Sequence, residues 1–136
     1  MSLFKVFDIA GSGMSAQSLR LNTVASNLAN LNSASGNPDE VYRARAPIFE
    51  AILEGMGGKE NAGVRVVDVV ESQAELARVY DPGNPQANDE GYVFQTNVNL
   101  GAEMVNMISA SRGYQNNTEI LSTTRDLMLR TLNLGN

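Results

Sequence analysis

The chain has 136 residues, ten Lys and Arg against fifteen Asp and Glu, and a formal net charge of −5. It contains no Cys, His or Trp, which removes disulfide scaffolds, thiolate and imidazole metal sites, Ser-His-Asp triads and Cys nucleophiles. The acidic balance argues against a duplex nucleic-acid binder, and no apolar run approaches the roughly 20 residues that span a bilayer.

The N-terminus carries Lys5 and then Asp8 with no apolar stretch, so it does not read as a cleavable signal. Residues 7–31 read as a helix. Phe7, Ala10, Met14, Gln17, Leu21, Val24, Leu28 and Leu31 step by three and four, a heptad seam with one polar exception. Gly11 and Gly13 weaken its first turns, which places the start at Asp8 or Ser12 as N-cap. Asn27, Asn30 and Asn32 close it, since Asn tolerates the left-handed conformation at a helix end. Between Ile9 and Pro38 the only charged side chain is Arg20. Ser12, Ser15, Ser18, Asn22, Ser26 and Asn30 fill the outer face, a composition that suits a helix surrounded by other protein.

Residues 34–97 read as a turn-rich, β-like centre. Tyr42–Phe49 alternates loosely and carries Pro47, which suits an edge strand. Gly55–Asn61 reads as a flexible loop, Val64–Val70 as a strand, Leu76–Tyr80 as another, and Asp81–Pro85 as a turn. Residues 98–132 read as a second, longer helix with a seam of Met104, Met107, Ser111, Tyr114, Thr118, Leu121, Arg125, Met128 and Leu132. Ile120, Leu127 and Leu134 recur every seven residues as a second apolar line, which implies more than one neighbour. Gly113 allows a close helix approach or a slight bend. The charge is segregated: residues 1–38 and 104–136 each sum to +1, while 39–103 sum to −7.

No chemical motif survives its own requirements. Gly58-Lys59 has Leu53 where a phosphate loop needs Gly, and Glu60 where it needs Ser or Thr. Gly11-x-Gly13 lacks a preceding strand and a third Gly. A calcium loop starting at Asp81 would put Pro82, Gly83 and Pro85 at its early positions, which then lack the required carboxylates. Asp68 with Glu71 and Asp89 with Glu90 read as solvated surface acids. Asn116-Asn117-Thr118 matches a glycosylation acceptor but falls within a helix. The reading is a protein with no catalytic, cofactor-binding or metal-binding residues, mostly α with a small β-rich centre.

The two ends carry a resemblance. "DIAGSGMSAQSLRLNTVASNLANLNS", with Ala16, Gln17, Leu19, Leu21, Ala25, Asn27, Leu28, Ala29 and Asn30 at the signature positions, resembles the start of bacterial flagellar rod, hook and related axial proteins. "NVNLGAEMVNMISASRGYQNNTEILSTTRDLMLRTLNLG" resembles the matching end, and "VYDPGNPQANDEGYV" is similar to the middle of short, proximal-rod members. Many relatives carry His after the "DPG" and Pro before the "NV", where this chain has Asn84 and Thr96.

The resemblance implies a structural subunit of the flagellar basal-body rod. It would be exported without a cleaved leader by the flagellar type III apparatus and polymerise helically into a hollow, torque-transmitting shaft in the periplasm. It implies paired terminal helices (1–33 and 98–136) as a coiled-coil-like hairpin forming the inner assembly domain, with 34–97 facing outward. The implied partners are copies of itself and other rod proteins, with no nucleic acid and no membrane insertion; contact with peptidoglycan is left open. The expected assembly contacts are Leu21, Val24, Leu28, Leu31, Met104, Met107, Arg112, Tyr114, Leu121, Met128 and Leu132, with Asn27, Asn30 and Asn32 as polar contacts. The rival readings are a self-contained helical adaptor binding a partner helix and a small hydrolase using surface carboxylates.

Overall fold

The computed structural model describes residues 3–52 and 62–135. Two long helices, α1 (Leu3–Ala29) and α2 (Leu100–Leu134), bracket the chain. At 1.5 Å per residue they are about 40 and 52 Å long. They lie side by side and antiparallel: Gly13 sits against Asn117, Gln17 against Gly113, and Arg20 against Asn106. The architecture is therefore a helix pair with a small β-rich segment between its members.

α1 is already helical at Leu3, so neither Asp8 nor Ser12 caps it. Ser12 has other partners. Its hydroxyl donates to the Ile9 carbonyl at 2.8 Å and accepts the Val64 N–H at 3.1 Å. At the other end no described non-glycine residue adopts a positive φ. The helix tightens instead, with the Asn30 N–H shared between the Ser26 and Asn27 carbonyls and Asn30 Nδ2 donating to the Ser26 carbonyl at 2.8 Å. α2 starts on an Asn99 N-cap, whose side chain accepts the Ala102 N–H at 2.9 Å, and ends at Gly135.

The centre contains β1 (Ala34–Ser35), a 3-10 turn (Pro38–Glu40), β2 (Arg45–Ile52), β3 (Gly63–Glu71), β4 (Ala77–Tyr80) and β5 (Tyr92–Gln95). β2 and β3 form an antiparallel hairpin in which Val67 bulges, because Ile48 faces Asp68 while Phe49 faces Val66. Among the described residues β2 pairs with β3 alone, an edge position at which Pro47 can be tolerated. The expected Gly55–Asn61 loop falls outside the described residues, apart from the hairpin strands that flank it.

β1, β5 and β4 form a second antiparallel sheet in that order. β1 and β5 are absent from the sequence reading. β1 is two residues long, and Tyr92-Val93-Phe94 follows a turn-rich stretch that masked its strand composition. Gly91, at φ 82°, closes the β4–β5 connection; a Cβ there would stand 2.9 Å from the Tyr80 ring.

The hairpin lies along α1, from Arg45 beside Asn27 to Val64 beside Ser12. α1 is thus covered by α2 on one side and by the hairpin on another. That placement explains its lack of charge: Ser12, Ser26 and Asn27 are spent on hairpin-side hydrogen bonds. The buried apolar residues are all small or β-branched: Ala10, Ala16, Val24 and Ala110 in the helices, and Val41, Val93 and Val98 in the centre.

Candidate functional site

The contact between α1 and α2 is built from small and polar residues. A Cβ on Gly13 would come within 2.9 Å of Asn117 Nδ2, and one on Gly113 within 3.0 Å of Gln17 Cδ. Each glycine therefore receives an amide side chain from the opposite helix. Arg20 donates to Asn106 Oδ1 at 2.8 Å, and Asn117 Nδ2 donates to the Gly113 carbonyl at 2.9 Å. Ala110, Thr124 and Glu103 complete the buried line on α2. Two polar atoms in this region, Gln17 Oε1 and Glu103 Oε2, are buried without a hydrogen-bond partner.

This seam is displaced from the apolar periodicity of α2. The covered line runs through Glu103, Asn106, Ala110, Gly113, Asn117, Leu121, Thr124 and Met128. Small residues let the backbones approach, and the large side chains are turned to either side. At about 100° per residue, one flank carries Leu100, Met104, Met107, Tyr114, Leu129 and Leu132. The other carries Val105, Ile120, Leu127 and Leu134, with Ile108 beside the outer ridge. All of these are exposed, Val105 at 66% and Leu134 at 88%. The outer ridge between the flanks carries the charges Arg112, Glu119, Asp126 and Arg130. Leu3 and Phe4 of α1 join Met128, Thr131 and Leu132 in an apolar recess at the far end of the pair.

Of the residues expected from sequence to make contacts, Leu121 and Met128 on the covered line of α2 are half-buried, as are Leu21, Leu28 and Leu31 on or just past α1. Met104, Met107, Arg112, Tyr114 and Leu132 are exposed, and Val24 is buried in the helix pair. Asn32 is exposed, and Asn30 bonds back to its own helix.

Asn27 is the largest fully buried side chain, 1% exposed, and its bonds lie within its own chain. Its Oδ1 accepts from the Arg45 N–H at 2.9 Å and from the Tyr42 hydroxyl at 2.8 Å, while its Nδ2 donates to the Arg45 carbonyl at 2.9 Å. Asn97, just before α2, accepts the Ala44 N–H at 2.8 Å and donates to the carbonyls of Ser72 and Ala74 at 3.3 and 3.0 Å. Arg43 donates to the same two carbonyls. Sequence reading did not assign contacts to Asn97 or Tyr42, missed the Gly13–Asn117 crossing, and put Gln17 in the seam and a close approach at Gly113 without pairing the two. Nothing local distinguishes Asn97 from the capping Asn99. The sequence marks Gly113 as a point of close approach, but which side chain each glycine receives is settled only once both helices are placed side by side.

Among the described residues no group of three or more carboxylates is placed to hold a metal ion, and no helix is long and apolar enough to cross a membrane. What remains is a surface of unmatched apolar helix, the arrangement of a protein whose neighbours are other chains. Residues 7–36 match the family model described as "Flagella basal body rod protein", and residues 89–134 match "Flagellar basal body rod FlgEFG protein C-terminal". The two matches fall on the two ends of the chain, and they define its class: a flagellar rod protein.

Curated relatives narrow the class. The chain is 50% identical over 135 residues to the flagellar basal-body rod protein FlgC of Escherichia coli O6:H1, covering 99% of each. It is equally similar, over the same span, to the FlgC protein of Salmonella typhimurium. It is 40% identical over 135 residues to that of Buchnera aphidicola from Acyrthosiphon pisum, again with 99% of each chain covered. The chain belongs to the FlgC family of flagellar basal-body rod proteins, structural subunits of the rod.

Proposed function

We propose that the two exposed flanks of α2 are the surfaces through which this subunit assembles with copies of itself and with other rod proteins. The observation that supports this most is the inverted distribution on the helix pair: small and polar residues inside, large apolar residues outside. Burying one large apolar side chain contributes about 1.5–3 kcal/mol. The isolated chain forgoes that contribution along both flanks. Two flanks on one helix engage two different neighbours, and such heterologous contacts propagate as a helix when the rotation does not close.

α1 offers a matching surface. Gly11, Ser15, Ser18, Asn22, Ala25 and Ala29 form an exposed stripe of small, uncharged residues, into which large side chains of a neighbouring α2 can pack. On this reading residues 1–33 and 98–136 form the inner assembly domain, and 34–97 face outward. The helix pair is only marginally ordered in the monomer and gains the rest of its order on assembly, since helices without full packing are marginal in water. Partly ordered ends also suit export by the flagellar type III apparatus without a cleaved leader, and the rod so formed crosses the periplasm and transmits torque. The chain carries out no catalysis in this role.

The test combines one variant with one measurement on the native chain. Val105→Asp is expected to leave the purified monomer soluble and helical while abolishing rod formation and motility, because the charge enters a buried flank only in the assembly. Limited proteolysis of the wild-type monomer is expected to cleave the ends before the centre, and rods are expected to protect them. Normal rods from the Val105→Asp chain would sink the assignment.

A further inference from the structure

The amide groups of Asn27 and Asn97 come from opposite ends of the two long helices, yet they converge on two consecutive residues. Asn97 takes the N–H of Ala44, and Asn27 takes both the N–H and the carbonyl of Arg45. Asn27 therefore does for Arg45 what a neighbouring strand would do, at the point where the chain enters β2. Asn97 simultaneously holds Ser72 and Ala74, where the chain leaves β3. Both feet of the hairpin are thus tied to the junction of α1 and α2. Beyond the junction, the Val64 N–H of the hairpin donates to Ser12 Oγ at 3.1 Å.

We propose that Asn27 and Asn97 act together as a latch that sets the angle of the β2–β3 hairpin against the helix pair. They are positioning residues. Because Ala44 and Arg45 are consecutive, Asn27 and Asn97 can hold them at once only when the C-terminal end of α1 and the N-terminal end of α2 are in register. The direction of the hairpin is therefore conditional on the pairing of the helices. A neighbour that shifts one helix against the other is felt at the hairpin, even though it touches only the helices. The link from hairpin angle to rod formation rests on the assembly reading above; the latch itself does not.

The chain has no Cys, so a thiol pair can report the hairpin position cleanly. A Cβ on Gly63 would lie 3.4 Å from the Ser12 Cβ, close to the separation found in disulfides. In the full chain carrying Ser12→Cys and Gly63→Cys, the disulfide is expected to form readily in a glutathione buffer. Adding Asn27→Asp removes the donor to the Arg45 carbonyl and places a carboxylate oxygen against it. The effective concentration of the thiol pair is then expected to fall at least tenfold, with helical circular dichroism unchanged; Asn97→Asp is expected to do the same. An unchanged effective concentration overturns the proposal, because the hairpin then holds its place without the latch. Loss of helicity also overturns it, because the amides then hold the whole fold instead of orienting one part.

In cells, the oxidised pair is expected to restore rods to the Asn27→Asp chain. Failure to restore them, where the oxidised pair alone assembles normally, overturns the link to assembly. Failure of the wild-type chain to form rods would instead undo the assembly reading and leave the thiol measurement standing.

Discussion

The β-rich centre and the helix pair solve opposite problems. In the centre, charge faces water and the arginines find partners within the chain: Arg65 meets Glu50 at 2.7 Å, Arg45 meets Glu71 at 3.3 Å, and Arg78 stacks over the Tyr92 ring at 3.6 Å. Its buried residues, Val41, Val93 and Val98, are apolar, as in any small domain. In the helix pair the order is reversed. Glycine, alanine, threonine and amides fill most of the contact, with Val24 buried and Leu21, Leu28, Leu121 and Met128 half-buried, while eleven large apolar or aromatic side chains of α2, Leu100 and Val105 among them, are exposed. The lesson is that helix pairing in this chain is chiefly a matter of fit, and it leaves much of the apolar surface of α2 exposed. The whole chain exposes 9389 Å², against roughly 6,900 Å² expected of a compact monomer of this mass.

The comparison breaks most easily on the flanks. Met104→Asp combined with Leu129→Asp, on the flank opposite Val105, is expected to abolish rods as completely as Val105→Asp does. The monomer should change stability by no more than about 0.5 kcal/mol, as for other surface substitutions. Rods visible by electron microscopy of this double variant would mean that only one flank is used.

The seam is expected to show the converse. Gly13→Leu forces the helices apart at Asn117 and should cost the monomer about 1–3 kcal/mol in a denaturant titration, as overpacking does. A variant with wild-type stability would show that the close approach at Gly13 is not required. The smallest effect belongs to the centre. Glu50→Gln removes an exposed ion pair and should cost less than about 1 kcal/mol. Rods and motility should be normal; a motility defect would place the outer face of the hairpin in a contact of its own.

Much of this was legible in the sequence. Spacings of three and four located both helices to within a few residues, and segregation of charge to residues 39–103 separated the ends from the centre. The N-terminal start was misplaced because Gly11 and Gly13 read as helix breakers. In the fold their missing side chains matter in another way: Gly13 makes room for Asn117, and Gly11 lies on the open stripe. The strands β1 and β5 escaped because pairing with a distant segment, not local composition, holds Ala34 opposite Gln95.

The sequence by itself determined that this chain has two nearly uncharged helical ends, no chemistry-bearing cluster, and more apolar helix than its own centre can cover. Those properties follow from residue type and period, which need no partner to be read. Only the tertiary structure decided which line of α2 meets α1. Periodicity favours the large residues Met104, Met107 and Tyr114, but close packing depends on how near two backbones can come. Gly13 and Gly113 allow that approach along the small, polar line instead. Likewise, three asparagines close α1 in the sequence, and the fold selected Asn27, because it alone of the three meets the N–H and carbonyl of Arg45.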